Sequence, residues 1–233
     1  MMNTIDVLRV EKKYQLTGIE AALLERKLEQ ILPRDSYGGD MGYQVRSLYF
    51  DTMDDGDFFE KEDGYEYRKK IRLRVYSPED QTAKLEMKEK QGEFQRKRSL
   101  VLEREDAMAL IRGDYGSLLK YENGLAMEMY CMMQERMYRP KCVVEYNRNA
   151  FSIPENSTRI TLDSRIMASE ACFDIFNPEL QLYPVDDYDH VTLEVKYNRF
   201  LFSYIKDVVS SCDKMQLSYS KYCMARRIFK GLI

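Results

Sequence analysis

The run Tyr65-Glu66-Tyr67-Arg68-Lys69-Lys70-Ile71-Arg72-Leu73-Arg74-Val75-Tyr76 constrains the fold more than any other stretch of the chain. Side chains of a β-strand alternate between two faces, so Arg68, Lys70, Arg72 and Arg74 share one face and Ile71, Leu73 and Val75 the other. The pattern recurs where Glu86, Lys88 and Lys90 oppose Leu85 and Met87, and again in Leu193-Glu194-Val195-Lys196-Tyr197 and Arg9-Val10-Glu11-Lys12-Lys13-Tyr14. One such strand is a half-exposed sheet strand, apolar towards the core and charged towards water. Taken together, the strands are unusual. One face would collect Lys13, Lys70, Arg72, Arg74, Lys88, Lys90, Arg148, Arg159, Arg165 and Lys196 against only Glu11, Glu86, Asp163 and Glu194. Solvent faces normally mix signs, because like charges on neighbouring strands repel by about 0.2–1 kcal/mol per pair. The whole chain carries a net charge of −3, so its charge is segregated rather than merely basic.

Strands are expected over residues 9–15, 45–50, 66–76, 83–90, 94–102, 142–151, 159–166 and 190–197, with a hairpin turn at Gln91-Gly92. Helices are expected over 18–32, briefly around 54–62, over 103–136 with a break near 113–116, and at the C-terminal end. A barrel of eight strands has room inside for side chains or one ligand. It would place the basic face inward and leave the apolar faces for helices to cover. The expected fold is therefore α+β, a closed eight-stranded antiparallel β-barrel with flanking helices, as one domain over residues 1–233. A lining of packed cations repels itself unless an anion fills the space. Arginine forks and lysine point charges match phosphate oxygens, which makes a polyanion of phosphates the expected ligand.

Composition excludes several alternatives. Net charge −3 argues against a nucleic-acid binder. A single histidine, His190, removes histidine-based zinc clusters and Ser-His-Asp chemistry. Five cysteines, odd in number and without CxxC spacing, read as reduced and mostly buried thiols of a cytoplasmic protein. No signal peptide or membrane span is apparent. The Met-rich stretch 126–133 reads as a helix packed on the barrel. The acidic turn with Asp51, Asp54, Asp55 and Asp57 lacks EF-hand spacing and reads as solvated.

The chain resembles the triphosphate tunnel metalloenzymes (the CYTH-like superfamily), and within them the VTC-type polyphosphate polymerase domain. The residues that carry the resemblance are Arg9-x-Glu11-x-Lys13-Tyr14, Ser47-Leu48-Tyr49-Phe50-Asp51-Thr52, Arg68-x-Lys70-x-Arg72-Leu73-Arg74 and Glu86-x-Lys88. They continue in order with Tyr146-x-Arg148, Arg159-x-Thr161-x-Asp163, Leu193-Glu194-Val195-Lys196-Tyr197 and Ser220-Lys221-Tyr222. The resemblance implies a tunnel that binds ATP or another nucleoside triphosphate with Mn²⁺ or Mg²⁺ and passes the γ-phosphoryl group to polyphosphate. It implies that Lys13, Arg72, Arg74, Lys88, Arg148, Lys196 and Lys221 grip phosphates, that Ser220 donates a hydrogen bond and that Tyr146 lines the wall. Glu194 would hold the metal, with Glu86 or Glu11 assisting through water. The basic face adds Lys70, Lys90 and Arg159 as substrate contacts, and the strand Arg96-Lys97-Arg98 is expected to turn Arg96 and Arg98 inward.

The first position, Arg9, departs from the E-x-E-x-K opening of the tunnel hydrolases and points to the polymerase branch. Ser218 stands where the polymerases typically carry a lysine. No SPX domain or membrane segment accompanies the motifs, and a membrane-protein partner is implied by resemblance only. Two alternatives remain open at this point: a triphosphatase that passes the phosphoryl group to water, and a non-catalytic module that binds polyphosphate or nucleotide.

Overall fold

The computed structural model describes residues 9–39, 42–92, 94–212, 215–216, 218 and 220–231. In chain order the elements are β1 (Arg9–Thr17), α1 (Gly18–Glu29), β2 (Tyr43–Asp51), α2 (Gly56–Glu62), β3 (Tyr67–Val75), β4 (Thr82–Gln91), β5 (Phe94–Glu103) and α3 (Arg104–Ile111). A 3₁₀ turn (Tyr115–Lys120) leads to α4 (Gly124–Glu135), β6 (Arg139–Ile153), β7 (Thr158–Ser169), β8 (Tyr183–Pro184) and β9 (His190–Asn198). The remaining elements are α5 (Ser203–Ser210), β10 (Met215–Gln216) and α6 (Lys221–Phe229). The chain divides into two compact units, each drawn from three stretches. Strands β6 and β7 contribute residues to both.

The first unit takes Met1–Tyr43, Tyr146–Ile166 and Asp186–Tyr219. Its strands are ordered β10-β1-β9-β7-β6. The register sets Lys13 opposite Glu194 and Glu11 opposite Lys196, and on the next strand Thr161 opposite Glu194. The alternate residues Leu16, Leu193, Val195, Ile160 and Leu162 are buried with Leu24 and Leu28 of α1 and Ile205 and Val209 of α5. Thr17 starts α1 with a reciprocal capping box: its hydroxyl accepts from the Glu20 N–H, and the Glu20 carboxylate accepts from the Thr17 N–H. Such a cap stabilises a helix by about 1 kcal/mol.

The second unit takes Gln44–Glu145, Met167–Val185 and Ser220–Ile233, with strands ordered β6-β2-β3-β4-β5 and β8 paired to β7. Ile71, Leu73, Leu85 and Met87 form its core with Leu48 and Phe50 of β2 and with Ala107, Leu110, Ala126, Met129 and Met133 of α3 and α4. Full burial of side chains of this size contributes about 1.5–3 kcal/mol each. The apolar half of the alternation thus goes where the sequence requires, under helices, and the charged half is left on the opposite strand face.

The α+β class, the antiparallel ladders and the flanking helices agree with the sequence. Strand number and closure do not. Among the described residues ten strands are present, because β8 and β10 are only two residues long and too short to show any alternation. Among the described residues β5 and β10 each pair with one strand, and no ladder joins them into a barrel. Alternation assigns faces; closure depends on tilt and stagger, which a face pattern does not encode. Arg165 also leaves the basic set. It adopts a left-handed φ of +53° just beyond the last β7–β9 pair, Ser164 opposite Val191, and is exposed.

All five cysteines are free, but only Cys142 and Cys223 are buried. Among the described residues no helix is long and apolar enough to cross a membrane.

Candidate functional site

In the first unit, alternation on β1 and β9 brings two carboxylates onto one ammonium. Lys13 Nζ lies 3.3 Å from Glu11 Oε1 and 3.2 Å from Glu194 Oε1. The other oxygen of Glu194 accepts from Lys196 Nζ at 2.6 Å and lies 3.8 Å from Arg148 Nη2. Burial opposes charge on Lys13, but Glu194 and Glu11 outweigh it and hold its ammonium above the ordinary lysine range. Arg148 gives both Nε and Nη2 to Asp163, at 2.6 and 2.7 Å, and its guanidinium lies 5.2 Å from the Tyr146 ring centre. Burial also opposes charge there and Asp163 more than compensates, so Arg148 stays charged. Arg159 reaches Asp35 at 2.6 Å and the Tyr43 hydroxyl at 2.8 Å. Thr161, buried opposite Glu194, has an Oγ1 that makes no hydrogen bond among the described residues.

In the second unit the basic residues converge on Glu86. Its carboxylate accepts from Arg72 Nε at 2.7 Å and Lys97 Nζ at 2.5 Å, with Arg74 Nη2 at 3.6 Å. Burial would raise its pKa, but Arg72, Arg74 and Lys97 hold the carboxyl well below its usual range. Lys88 sits between Lys70 and Lys97 in the register, and Lys90 opposite Arg68. Arg72 also donates to the Tyr49 hydroxyl at 3.0 Å, and Tyr49 stacks on Tyr222 with ring centres 5.1 Å apart. Lys70 Nζ is 2.5 Å from Ser220 Oγ and 6.0 Å from the Tyr222 ring centre.

Helix α6 delivers Ser220 and Lys221 to this cluster. Ser220 is its N-cap, accepting from the Cys223 N–H at 3.3 Å, and Lys221 is buried in the first turn. The helix is tied down through the acidic turn after β2. Tyr222 donates to Asp51 Oδ2 at 2.6 Å, and the same carboxylate accepts from the backbone N–H groups of Thr52, Asp57 and Phe58 at 2.7–2.9 Å. Asp55 receives Arg226 at 2.8 Å, Lys141 at 3.0 Å and Lys230 at 2.5 Å; Arg226 also pairs with Glu170. Asp51, Asp55 and Asp57 are buried, so the turn expected to be solvated is instead a structural hub. Ser218 is exposed.

The inward pair expected on β5 is reversed. Gln91 pairs with Phe94, which sets Lys97 opposite Lys88 and Glu86 opposite Ser99, so Lys97 shares the face of Arg72 and Arg74. Arg96 falls opposite Glu89 and Arg98 opposite Met87 on the other face, where Arg98 pairs with Glu89 and Glu128 at 3.0 and 2.5 Å. Gly92, which adopts a left-handed φ of +57° between the two strands, was the available signal. Sequence reasoning also gave no role to Ser47, Tyr49, Asp51, Thr161 or Tyr222.

The donor set was tested for Mn²⁺ or Mg²⁺. Among the described residues no cluster of three or more Asp, Glu, His or Cys side chains is arranged for a metal. Glu11 and Glu194 do share one neighbour, and two carboxylates completed by phosphate oxygens and water suit Mg²⁺ or Mn²⁺. The orphaned Thr161 hydroxyl beside Glu194 fits a site completed by a ligand. Glu86 is likewise held by three cations, Arg72, Arg74 and Lys97.

The model of the VTC domain matches residues 8–230. No curated protein matches the chain. Among solved structures, a candidate adenylate cyclase from Vibrio parahaemolyticus is similar at a TM-score of 0.50 and 14% identity, over 93% of this chain and 97% of that one. A candidate adenylate cyclase from Bacillus halodurans aligns at a TM-score of 0.48 and 11% identity, over 87% and 86%. At such identities the Vibrio likeness concerns the fold alone.

Proposed function

Because the chain belongs to the VTC domain family, within the triphosphate tunnel superfamily, we propose that it is a metal-dependent polyphosphate polymerase that transfers the γ-phosphoryl group of ATP to a growing chain. The observation that carries the reading is Glu194 held among Lys13, Lys196 and Arg148 with Glu11 on the same lysine. Pure anion binding gains nothing from carboxylates among cations, whereas a metal–phosphate complex uses both.

Phosphoryl transfer requires alignment and neutralised oxygens more than covalent help. Lys13, Lys196 and Arg148 would supply this in the first unit, with Tyr146 beneath Arg148 and Arg159 alongside. Arg72, Arg74, Lys88 and Lys97 would do so in the second, with Lys70, Lys90, Ser220 and Lys221 as further contacts. Fixed on strands and a capped helix, these groups reorganise little as charge develops. Glu11 and Glu194 would hold Mn²⁺ or Mg²⁺, which would supply Lewis-acid neutralisation of phosphate charge there. The bond from the γ-phosphorus to the β-phosphate oxygen breaks, a bond to the terminal oxygen of the acceptor forms, and ADP leaves. The acceptor oxygen is already ionised, so no catalytic base is needed.

The test is incubation with ATP and Mn²⁺, assaying long-chain polyphosphate, ADP and free phosphate together. Polymer with matching ADP supports the polymerase. ADP with only free phosphate makes the protein a triphosphatase, and binding without turnover makes it a polyphosphate-binding module.

A further inference from the structure

Three buried polar atoms lie within the two clusters without a protein hydrogen-bond partner among the described residues: Ser47 Oγ, Arg74 Nε and Thr161 Oγ1. Their positions are related. Ser47 and Arg74 are directly opposite one another on β2 and β3, so their side chains rise from the same strand face, next to the Arg72–Glu86 pair. Thr161 stands opposite Glu194, which faces Lys13 on its other side. Both hydroxyl residues are essentially sealed from solvent, Ser47 at 0% exposure and Thr161 at 1%.

A buried hydroxyl that bonds to nothing is a liability in the empty protein, since its desolvation is not compensated. Ser47 stands opposite a cation, Arg74, whose natural complement is an oxyanion, and Thr161 stands opposite Glu194, a carboxylate that itself lies beside Lys13, Lys196 and Arg148. An oxygen acceptor placed there could take hydrogen bonds from Ser47 and Arg74 at one cluster and from Thr161 at the other. A hydroxyl suits such a position, because it adds a donor without adding to the repulsion among packed cations.

We infer that Ser47 and Thr161 are ligand-contact residues, each donating its hydroxyl to a phosphate oxygen, with Arg74 Nε completing the contact at Ser47. The inference rests on the proposed phosphate-binding reading and extends it to neutral donors. It makes the two hydroxyls costly without ligand and useful with it, and the two effects are separable.

The experiment compares the unaltered protein with Ser47→Ala and Thr161→Val, measuring thermal melting without ligand and the Kd for inorganic tripolyphosphate with and without Mn²⁺. Each substitution should raise the melting temperature of the empty protein by about 2–4 °C. Each should weaken tripolyphosphate binding by about ten-fold, the scale of a hydrogen bond to a charged acceptor. A variant that melts lower and binds as before would show that its hydroxyl serves the fold through an ordered water, and would overturn the inference. Unchanged affinity alone would do the same. Failure of the unaltered protein to bind tripolyphosphate would instead overturn the phosphate reading itself, and that result is read without any variant.

Discussion

Lys97, on the outermost strand of its ladder, donates to Glu86 at 2.5 Å, and the carboxylate it reaches is the one on which Arg72 and Arg74 also converge. One buried acid therefore organises three cations. Half of the Lys97 side chain remains exposed, while Arg74 and Glu86 are buried. Lys97 is thus the most exposed member of the group.

Burial, with Arg72 and Arg74 nearby, brings Lys97 down to about 8 despite the pull of Glu86. Its charge is accordingly present at pH 7 and mostly gone at pH 9. Tripolyphosphate affinity should fall about three- to ten-fold across that interval, in line with loss of one charge-assisted contact. Lys97→Arg, which stays charged, should flatten the profile. Calorimetric titration at several pH values checks this, and an equally steep profile in the arginine variant would rule Lys97 out as its source.

Glu194→Gln separates turnover from binding. The substitution removes a carboxylate charge from among Lys13, Lys196 and Arg148. Polyphosphate synthesis should drop by about a hundred-fold or more, the scale of removing a key electrostatic element. Tripolyphosphate binding in the absence of metal should hold or tighten. Full turnover in the variant would remove Glu194 from the metal site.

Arg148→Ala should be a folding defect before it is a binding defect. Two of the guanidinium nitrogens are committed to Asp163, which is fully buried. Removing both bonds of the guanidinium from that buried carboxylate is expected to destabilise the protein by about 3–5 kcal/mol. Urea unfolding measures it. The double variant Arg148→Met with Asp163→Leu should recover much of the stability without recovering tripolyphosphate affinity.

Asp57 predicts an acid-side stability effect with an unusual sign. Burial, reinforced by Asp51, raises its carboxyl to about 7, while Tyr138 donates to both oxygens at 2.9 and 3.0 Å. The folded state therefore keeps a proton that the unfolded state has lost. Between roughly pH 4 and pH 7 this group makes stability fall as pH rises, and its penalty is complete above pH 7. Asp57→Asn should lose that dependence and gain most, on the order of 2–4 kcal/mol, at pH 8. Melting curves of both proteins at pH 5 and pH 8 give the comparison; a constant difference between them would refute it.

The parts legible in the sequence are those that repeat with a period. Arg72, Arg74, Lys13, Glu194 and Lys196 were readable because strand alternation alone sets their face, and the apolar partners Ile71, Leu73 and Leu193 confirm it by burial. Lys97 was misread because its face depends on a turn: one residue more or less between Gln91 and Phe94 exchanges Arg96 and Arg98 for Lys97. Asp51 and Tyr222 stand within the motifs of the resemblance, yet their contact could not be read from them. Each looks ordinary in its own segment, and the bond between them joins residues 171 positions apart.

That separation bears on synthesis. At about 5–20 residues per second, roughly ten to thirty seconds pass between addition of Asp51 and addition of Tyr222. Throughout that interval Asp51 lacks its phenol and Lys70 lacks Ser220, a partner 150 residues downstream. On the ribosome, then, β2, β3 and β4 can emerge and pair while the cluster they carry is still missing its last helix. The nascent chain would pass through a stage with a cationic sheet whose Lys70 and Asp51 await Ser220 and Tyr222, which arrive only with α6.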